Sequence, residues 1–352
     1  MQNNQSLGRP LWTGQEIRKN SKYWLDKNEI NIEESIEFNK YIIESLNPID
    51  LSTYPDLSFC YKFLENIFNI REENSLLVNG SDGGIREVNL ILSKNYQPII
   101  LQPTFAMIGI YPANLNNSPI KIKYNLNKNL LSYDYYQLIK EISQSKKPPF
   151  LIIATPDSPT GSLLSLDKLK ILISEIEKKD GLFLIDGTYS LINGYEYMIE
   201  IINIVNSSTN VLFTASFSKS PGLAGARLGF LTGSEIFINK IRSIRPMYEI
   251  GAIQAKIFNT VFSNWEMTLK VVGAIKSNKE VLENVLKEYS PKVIETGGNF
   301  SLFENTILLS KKLDKLCYYR KAFNVDPLKN FSRLSTPSKA FLKEFKNSLN
   351  LP

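Results

Sequence analysis

Histidine is absent from all 352 residues, cysteine occurs only twice, and no apolar run approaches the length of a membrane span. The first absence excludes most. Without imidazole there is no histidine-based nucleophile pair, histidine metal site or histidine acid–base catalyst, so any chemistry runs on Lys, Tyr, Ser, Asp or a bound cofactor. Cys60 and Cys317 are far apart and form neither a metal-ligand nor a redox spacing, which fits a reducing compartment. A spanning helix needs about 18 apolar residues, and none is present. The N-terminal stretch "MQNNQSLGRPLWTGQEIRKN" has no apolar core of signal-peptide length, so the expectation is a cytoplasmic protein without a membrane partner. Charge is also modest. Lys plus Arg total 41 against 35 Asp plus Glu, and the +6 excess is spread without a basic block. That speaks against nucleic-acid binding and leaves room for a positive pocket that takes a small anion.

What the chain does have is alternation. From about residue 75, short apolar runs recur: "LLVNG" (76–80), "PIILQ" (98–102), "PFLIIAT" (149–155), "LFLID" (182–186), "VLFTAS" (211–216) and "LGFLTG" (228–233). Continuous apolar runs of this length are expected as buried parallel strands. Between them lie stretches with helical spacing, as in 83–94 with Ile85, Val88 and Leu92, and 165–179 with Leu166, Leu169, Leu172, Ile173 and Ile176. Strand and helix in turn predict an α/β fold: a mostly parallel central sheet flanked by helices. Beyond Gly251 a long helical stretch (251–289) is followed by "KVIETGGNFSLFE", expected as a hairpin or edge strand, and then by helical "SKKLDKLCYYRKAF" and "PSKAFLKEFKNSL". The expected organisation is therefore an N-terminal segment (1–45), a large domain (46–250) and a smaller α+β domain (251–352) that the N-terminal segment helps complete.

Ligands of parallel sheets bind at the carboxyl edge of the strands. The polar clusters fall at that edge: "NGSDGG", "QPTFAM", "TPDSPTG", "DGTY" and "SFSK", each directly after a predicted strand. In "TASFSKSPGLAGARLGF", Lys219 stands among Ser216 and Ser218, with Arg227 eight positions on. A lysine in such a pocket has a depressed pKa and serves as a neutral amine for Schiff-base chemistry. Hydroxyls with a forked guanidinium are a phosphate-binding set. A phosphorylated aldehyde, pyridoxal phosphate, meets both demands. Asp186 is placed to hold a pyridinium nitrogen, Tyr189 to bond the ring's phenolic oxygen, Ser81 and Asp82 to sit where a helix N-terminus attracts phosphate, and Phe105 to stack on the ring. Each of these has a duller use alone: a helix cap for Asp186, Ser81 or Asp82, an ordinary half-buried residue for Tyr189, core for Phe105.

Taken in order, these segments resemble the fold-type I pyridoxal-phosphate aminotransferases of class I and II, and within them the histidinol-phosphate aminotransferase branch. "SFSKSPGLAGARLGF" is similar to that family's lysine-to-arginine signature, "TPDSPTG" to its proline-asparagine-asparagine-proline-threonine-glycine loop, "LIDGTY" to its aspartate-to-tyrosine loop, and "NGSD" to its phosphate turn; "YWLDKNE" (23–29) and "TYPD" (53–56) resemble N-terminal segments. The resemblance implies a fold-type I transferase in which Lys219 forms the internal aldimine and shuttles the substrate proton, Asp186 holds the pyridinium, and Tyr189 the ring oxygen. Ser81, Asp82, Ser216, Ser218 and Arg227 then bind the cofactor phosphate, joined by Tyr54 of the other subunit of a homodimer. Arg333 in "FSRLSTPS" corresponds to the substrate-carboxylate arginine, and Arg320 in "YYRKAF" to a second anion clamp or an ordinary exposed arginine; Asn299 in "GGNF" matches a small-domain motif. Three departures stand out. Ser158, preceded by Asp157, replaces the asparagine that bonds the ring oxygen; Phe105 replaces a tyrosine; and "DGTY" replaces a glutamate–alanine pair after the aspartate. The expected activity is transamination in amino acid metabolism, between an amino acid or phosphorylated amino compound and a keto acid/glutamate-type partner. Two alternatives stay open: decarboxylation of a phosphorylated amino acid by the same residues, and a non-catalytic binding protein on the same fold.

Overall fold

The computed structural model of the chain describes residues 18, 19 and 21–350. Most of the stretch read above for a leader, and with it the first part of segment 1–45, lies outside the described residues. The strands, in chain order, are β1 (Tyr23–Trp24), β2 (Ser75–Asn79), β3 (Gln97–Gln102), β4 (Ile120–Asn127), β5 (Leu130–Tyr133), β6 (Pro149–Ala154), β7 (Leu182–Asp186), β8 (Val211–Ser216), β9 (Leu228–Gly233), β10 (Val293–Ile294), β11 (Phe300–Glu304), β12 (Cys317–Tyr318) and β13 (Phe331–Ser335). The central sheet runs β2-β9-β8-β7-β6-β3-β4-β5. Strands β8, β7, β6, β3 and β4 pair in parallel, and β9 is antiparallel to both neighbours.

Alternation along the strands divides the interior into two layers. Phe183 and Ile185 face the same cluster as Leu151 and Ile153, whereas Leu182 and Leu184 face the opposite one with Phe150 and Ile152. Successive side chains of a strand point to opposite faces, so an unbroken apolar run supplies both cores at once. The chain is an α/β fold with a mostly parallel central sheet and helices packed on it, as predicted. A third, separate core gathers Leu282, Leu286, Phe303, Leu309, Leu313, Phe341 and Phe345 around the sheet β10-β11-β13. There β1 pairs in parallel with β12, tying the N-terminal stretch to the C-terminal one.

Three expectations need correction. The run 228–233 forms β9, but antiparallel. Only the loop 217–227 separates it from β8, with no crossover helix, and a strand returning over so short a connection has to run backwards. The hairpin β4–β5 was not anticipated, although "IKIKYNLN" buries alternate residues Ile122 and Tyr124. Helix "SKKLDKLCYYRKAF" stops at Leu316, where Cys317–Tyr318 is taken up as β12 by pairing with β1.

The open edge of β2 is blunted by side chains. Leu77 donates its N–H to Glu249 Oε2 at 3.3 Å, and its carbonyl accepts from Arg245 Nη2 at 2.6 Å. Arg245, 5% exposed, is itself ion-paired at 3.1 Å to both Glu87 and Glu249. Occupying these backbone groups removes a template for stray strand pairing. Among the described residues, no helix is long and apolar enough to cross a membrane, and no cluster of three metal-ligating side chains occurs.

Candidate active site

The carboxyl ends of β2, β3, β6, β7 and β8 open onto one cavity of about 290 Å³. Its walls include Ser81, Asp82, Phe105, Ser158, Asp186, Tyr189, Ser216, Ser218, Lys219, Arg227 and Arg333. The structure thus brings eleven of the thirteen residues expected to hold cofactor or substrate to a single cavity. Tyr54 and Arg320 are not among its walls. Tyr54 is 77% exposed and stacks on Tyr248, with ring centroids 4.1 Å apart, beside a second depression next to Asn79. Arg320 exchanges backbone hydrogen bonds with Arg333, but its exposed side chain turns away to the Ala322 carbonyl and the Phe323 ring.

One end of the cavity is built for an anion. Helix Gly80–Leu92 starts directly after β2, with Asn79 as its N-cap, so Ser81 and Asp82 occupy the first turn and are not caps. Gly80 has φ +70°, a conformation costly to other residues, and a Cβ there would lie 2.8 Å from Arg227 Nη2. Arg227 donates to the Ser218 hydroxyl at 3.2 Å and to the carbonyls of Ala224 and Asn79 at 3.3 and 3.1 Å. All three partners are neutral, so its charge stays available to a ligand. The Ser216 and Ser218 hydroxyls lie 2.8 Å apart, and Ser218 N–H donates to Ser216 Oγ. Asp82 accepts from Tyr111 at 2.8 Å.

At the centre, Asp186 ends β7 and is 3% exposed. Burial pushes its carboxyl up to about 6, while the Thr188 bonds pull it back. Thr188 donates both its N–H (3.0 Å) and its hydroxyl (2.6 Å) to Oδ1, and its own hydroxyl is bonded by Ser81. Lys219 follows β8, and its Nζ donates to the Lys27 carbonyl at 2.9 Å. Burial brings its amine down to about 8; Arg333 and Arg227 act in the same direction, against Glu29. Arg333 donates to Ser158 Oγ at 3.2 Å and to the Asp26 carbonyl at 2.9 Å, and its Nε is buried without a hydrogen-bond partner. Burial also lowers its pKa. Such a guanidinium, served only by neutral oxygens, is set to receive an anion. Asp157 lies behind Ser158, fully buried, accepting from Thr104 (2.7 Å), Tyr124 (3.1 Å) and Ser158 N–H (2.7 Å), with burial pushing it up to about 8.

Sequence reasoning missed two contributors. Thr188 carried a readable signal, because a residue two after an aspartate commonly donates its N–H back to that carboxylate. The stretch Asp26–Lys27–Asn28 falls within "YWLDKNE" (23–29), whose resemblance to a family segment indicates no role for any of its residues. Yet these three consecutive residues hold three central side chains: Asp26 O receives Arg333, Lys27 O receives Lys219, and Asn28 Nδ2 donates to the Tyr189 hydroxyl at 2.8 Å. Asn299, fully buried, donates to the Asn28 carbonyl at 3.1 Å and so braces this stretch from behind.

Comparison with known proteins sets this geometry in context. The family model for aminotransferase class I and II matches residues 26–343. The chain is 27% identical over 332 residues to a histidinol-phosphate aminotransferase of Clostridium novyi, covering 90% of this chain and 88% of that protein. It is 28% identical over 347 residues to the histidinol-phosphate aminotransferase of Brachyspira hyodysenteriae, covering 93% and 91%. Among solved structures, histidinol-phosphate aminotransferase from Sinorhizobium meliloti in complex with pyridoxal-5'-phosphate superposes with a TM-score of 0.78 at 16% identity, covering 93% of this chain and 89% of that one.

Proposed function

Because the chain belongs to the aminotransferase class I and II family, we propose that it is a pyridoxal 5'-phosphate-dependent transaminase with Lys219 as the residue that carries the cofactor. The observation behind this reading is the meeting, in one cavity, of a lysine amine with a lowered pKa, a buried carboxylate and an anion cradle. The donor set fits the group. The opening beside Gly80, which a Cβ would close onto Arg227, admits a phosphate against the helix N-terminus, Ser81, Ser216 and Ser218. Asp186 has one oxygen committed to Thr188 and is the partner for the ring nitrogen. Tyr189 and Ser158 serve the ring oxygen, and Phe105 the ring face. When bound, the cofactor supplies an aldehyde that condenses with an amine and a conjugated ring that draws electrons from the attached carbon.

The chain's own residues do the rest. Lys219 Nζ, drawn toward neutrality by burial and by two guanidinium groups, would take the proton from the substrate carbon and hand it back two atoms along, to the carbon on the far side of the nitrogen. Arg333 grips a substrate carboxylate, orienting the carbon–hydrogen bond toward Nζ. Asp82, tied to Tyr111, sits at the rim of the phosphate cradle, and Arg320 adds positive charge beside Arg333. Tyr54, largely exposed in its own chain, fits a contribution to the cavity of a second subunit in a cytoplasmic homodimer. Division into 1–45, 46–250 and 251–352 goes with this reading, the separate C-terminal core supporting it. The amino group moves between a small amino compound bearing a carboxylate or phosphate and a keto acid/glutamate-type partner; Ser158 and Phe105 favour a substrate other than histidinol phosphate. Borohydride treatment of the cofactor-loaded protein, followed by peptide mass analysis, should find the cofactor's mass on Lys219; an unlabelled Lys219 overturns the reading. Release of carbon dioxide in place of a keto product would move the assignment to a decarboxylase.

A further inference from the structure

We propose that Asn28 is a positioning residue of this site: its amide holds and polarises the Tyr189 hydroxyl as a hydrogen-bond donor to the cofactor's ring oxygen, in place of an amide at position 158. This inference rests on the reading of the site given above.

The geometry carries it. A phenol has one proton to donate and lone pairs to receive. Asn28 Nδ2 donates to the Tyr189 oxygen at 2.8 Å, which occupies a lone pair and leaves the phenolic proton free to point elsewhere. Both Asn28 and Tyr189 line the cavity, so that direction is available. A hydroxyl that receives a hydrogen bond is a better donor in turn. Ser158 is poorly able to do the same work: its Oγ receives Arg333 Nη1 at 3.2 Å, and its one proton is directed at the Tyr189 oxygen. Burial raises the Tyr189 pKa, and the charge of Arg333 and the bonds of Asn28 and Ser158 oppose that rise, against a further upward push from Asp186.

Asn28 is held as a positioning group has to be. The residue is 2% exposed, and its backbone adopts φ 55°, a left-handed conformation that asparagine tolerates better than most residues. Its N–H donates to Ser335 Oγ at 2.9 Å and its carbonyl accepts from Asn299, so two distant segments fix it. Its Oδ1 is buried with no hydrogen-bond partner. A purely structural asparagine would be expected to satisfy that atom, since leaving it unpaired costs stability.

The test uses full-length, cofactor-loaded protein and the pH at which the bound chromophore changes its absorbance. Asn28→Gly keeps the left-handed backbone and deletes the amide; Asn28→Asp keeps the shape and replaces the donor by an acceptor. With the donor lost, the negative ring oxygen is less well stabilised, so the chromophore holds its proton to higher pH. The midpoint should rise by about one unit, tenfold in proton affinity, in both variants. Tyr189→Phe should raise it too, and adding Asn28→Gly to Tyr189→Phe should change nothing more, because the two act as one unit. A midpoint unchanged by either Asn28 variant, while Tyr189→Phe moves it, overturns the inference and leaves the site reading standing. Failure of wild-type protein to form the chromophore overturns both.

Discussion

The state of Lys219 gives the sharpest quantitative test. Its amine is brought down to about 8, mainly by burial and next by Arg333. An amine titrating there is about 9% neutral at pH 7, about half neutral at pH 8 and about 91% neutral at pH 9, whereas an ordinary lysine near 10.4 is below about 0.1% and then about 4%. Only the neutral amine attacks an aldehyde. The rate at which apoprotein takes up pyridoxal phosphate should therefore rise about tenfold from pH 7 to 9 and then level off, as followed by stopped-flow absorbance. An unperturbed lysine would give a rise of about a hundredfold over the same interval with no plateau. Lys219→Ala should show no covalent uptake at any pH. Arg333→Met removes a neighbouring positive charge and should move the midpoint upward. A log-linear rise persisting past pH 9.5 in wild-type protein would refute the buried-amine argument.

Other expectations follow from the same coordinates. Gly80→Ala places a methyl group 2.8 Å from Arg227 Nη2 in a left-handed backbone. It should lower stability by about 1–2 kcal/mol, a shift of about 1–3 °C in calorimetry, and weaken cofactor binding about tenfold or more; unchanged binding would mean that the cradle is misplaced. Arg333→Ala should raise KM for a carboxylate substrate by about 10- to 100-fold with a smaller effect on kcat, as loss of a charged hydrogen-bonding partner predicts, and an unaltered KM would remove its assigned role. Arg245→Met strands Glu87 and Glu249 and uncovers the Leu77 carbonyl. Denaturant unfolding should record a loss of about 3–5 kcal/mol, and a loss below about 1 kcal/mol would show that the pair does not brace the β2 edge.

Much of this was readable in one dimension. Apolar runs of five or six residues separated by helical spacing predict a parallel sheet because both faces of such strands have to be covered, and a polar cluster that follows each run necessarily arrives at the sheet's carboxyl edge. Hence Ser81, Phe105, Ser158, Asp186, Lys219 and their neighbours were identifiable by position alone, and of the two readings of "KVIETGGNFSLFE", hairpin or edge strand, the hairpin is the one that forms. The antiparallel course of β9 was legible in principle from the short loop before it.

Tertiary structure alone decided what depends on pairing between distant segments. Nothing near Cys317 in the chain announces a strand; it becomes one by meeting Tyr23. Arg320 and Arg333 look alike in sequence, and as antiparallel bridge partners they leave the backbone on the same face; what separates them is the tertiary partners each meets, the Ala322 carbonyl and Phe323 ring for Arg320, Ser158 and the Asp26 carbonyl for Arg333. The segment holding Asp26–Lys27–Asn28 resembles a family segment, yet its contacts are not written in its residue types, since two of the three use backbone carbonyls, which every residue possesses. Local spacing encodes which face of a strand or helix is apolar; it does not encode which carbonyl will lie 2.9 Å from a lysine 192 residues away.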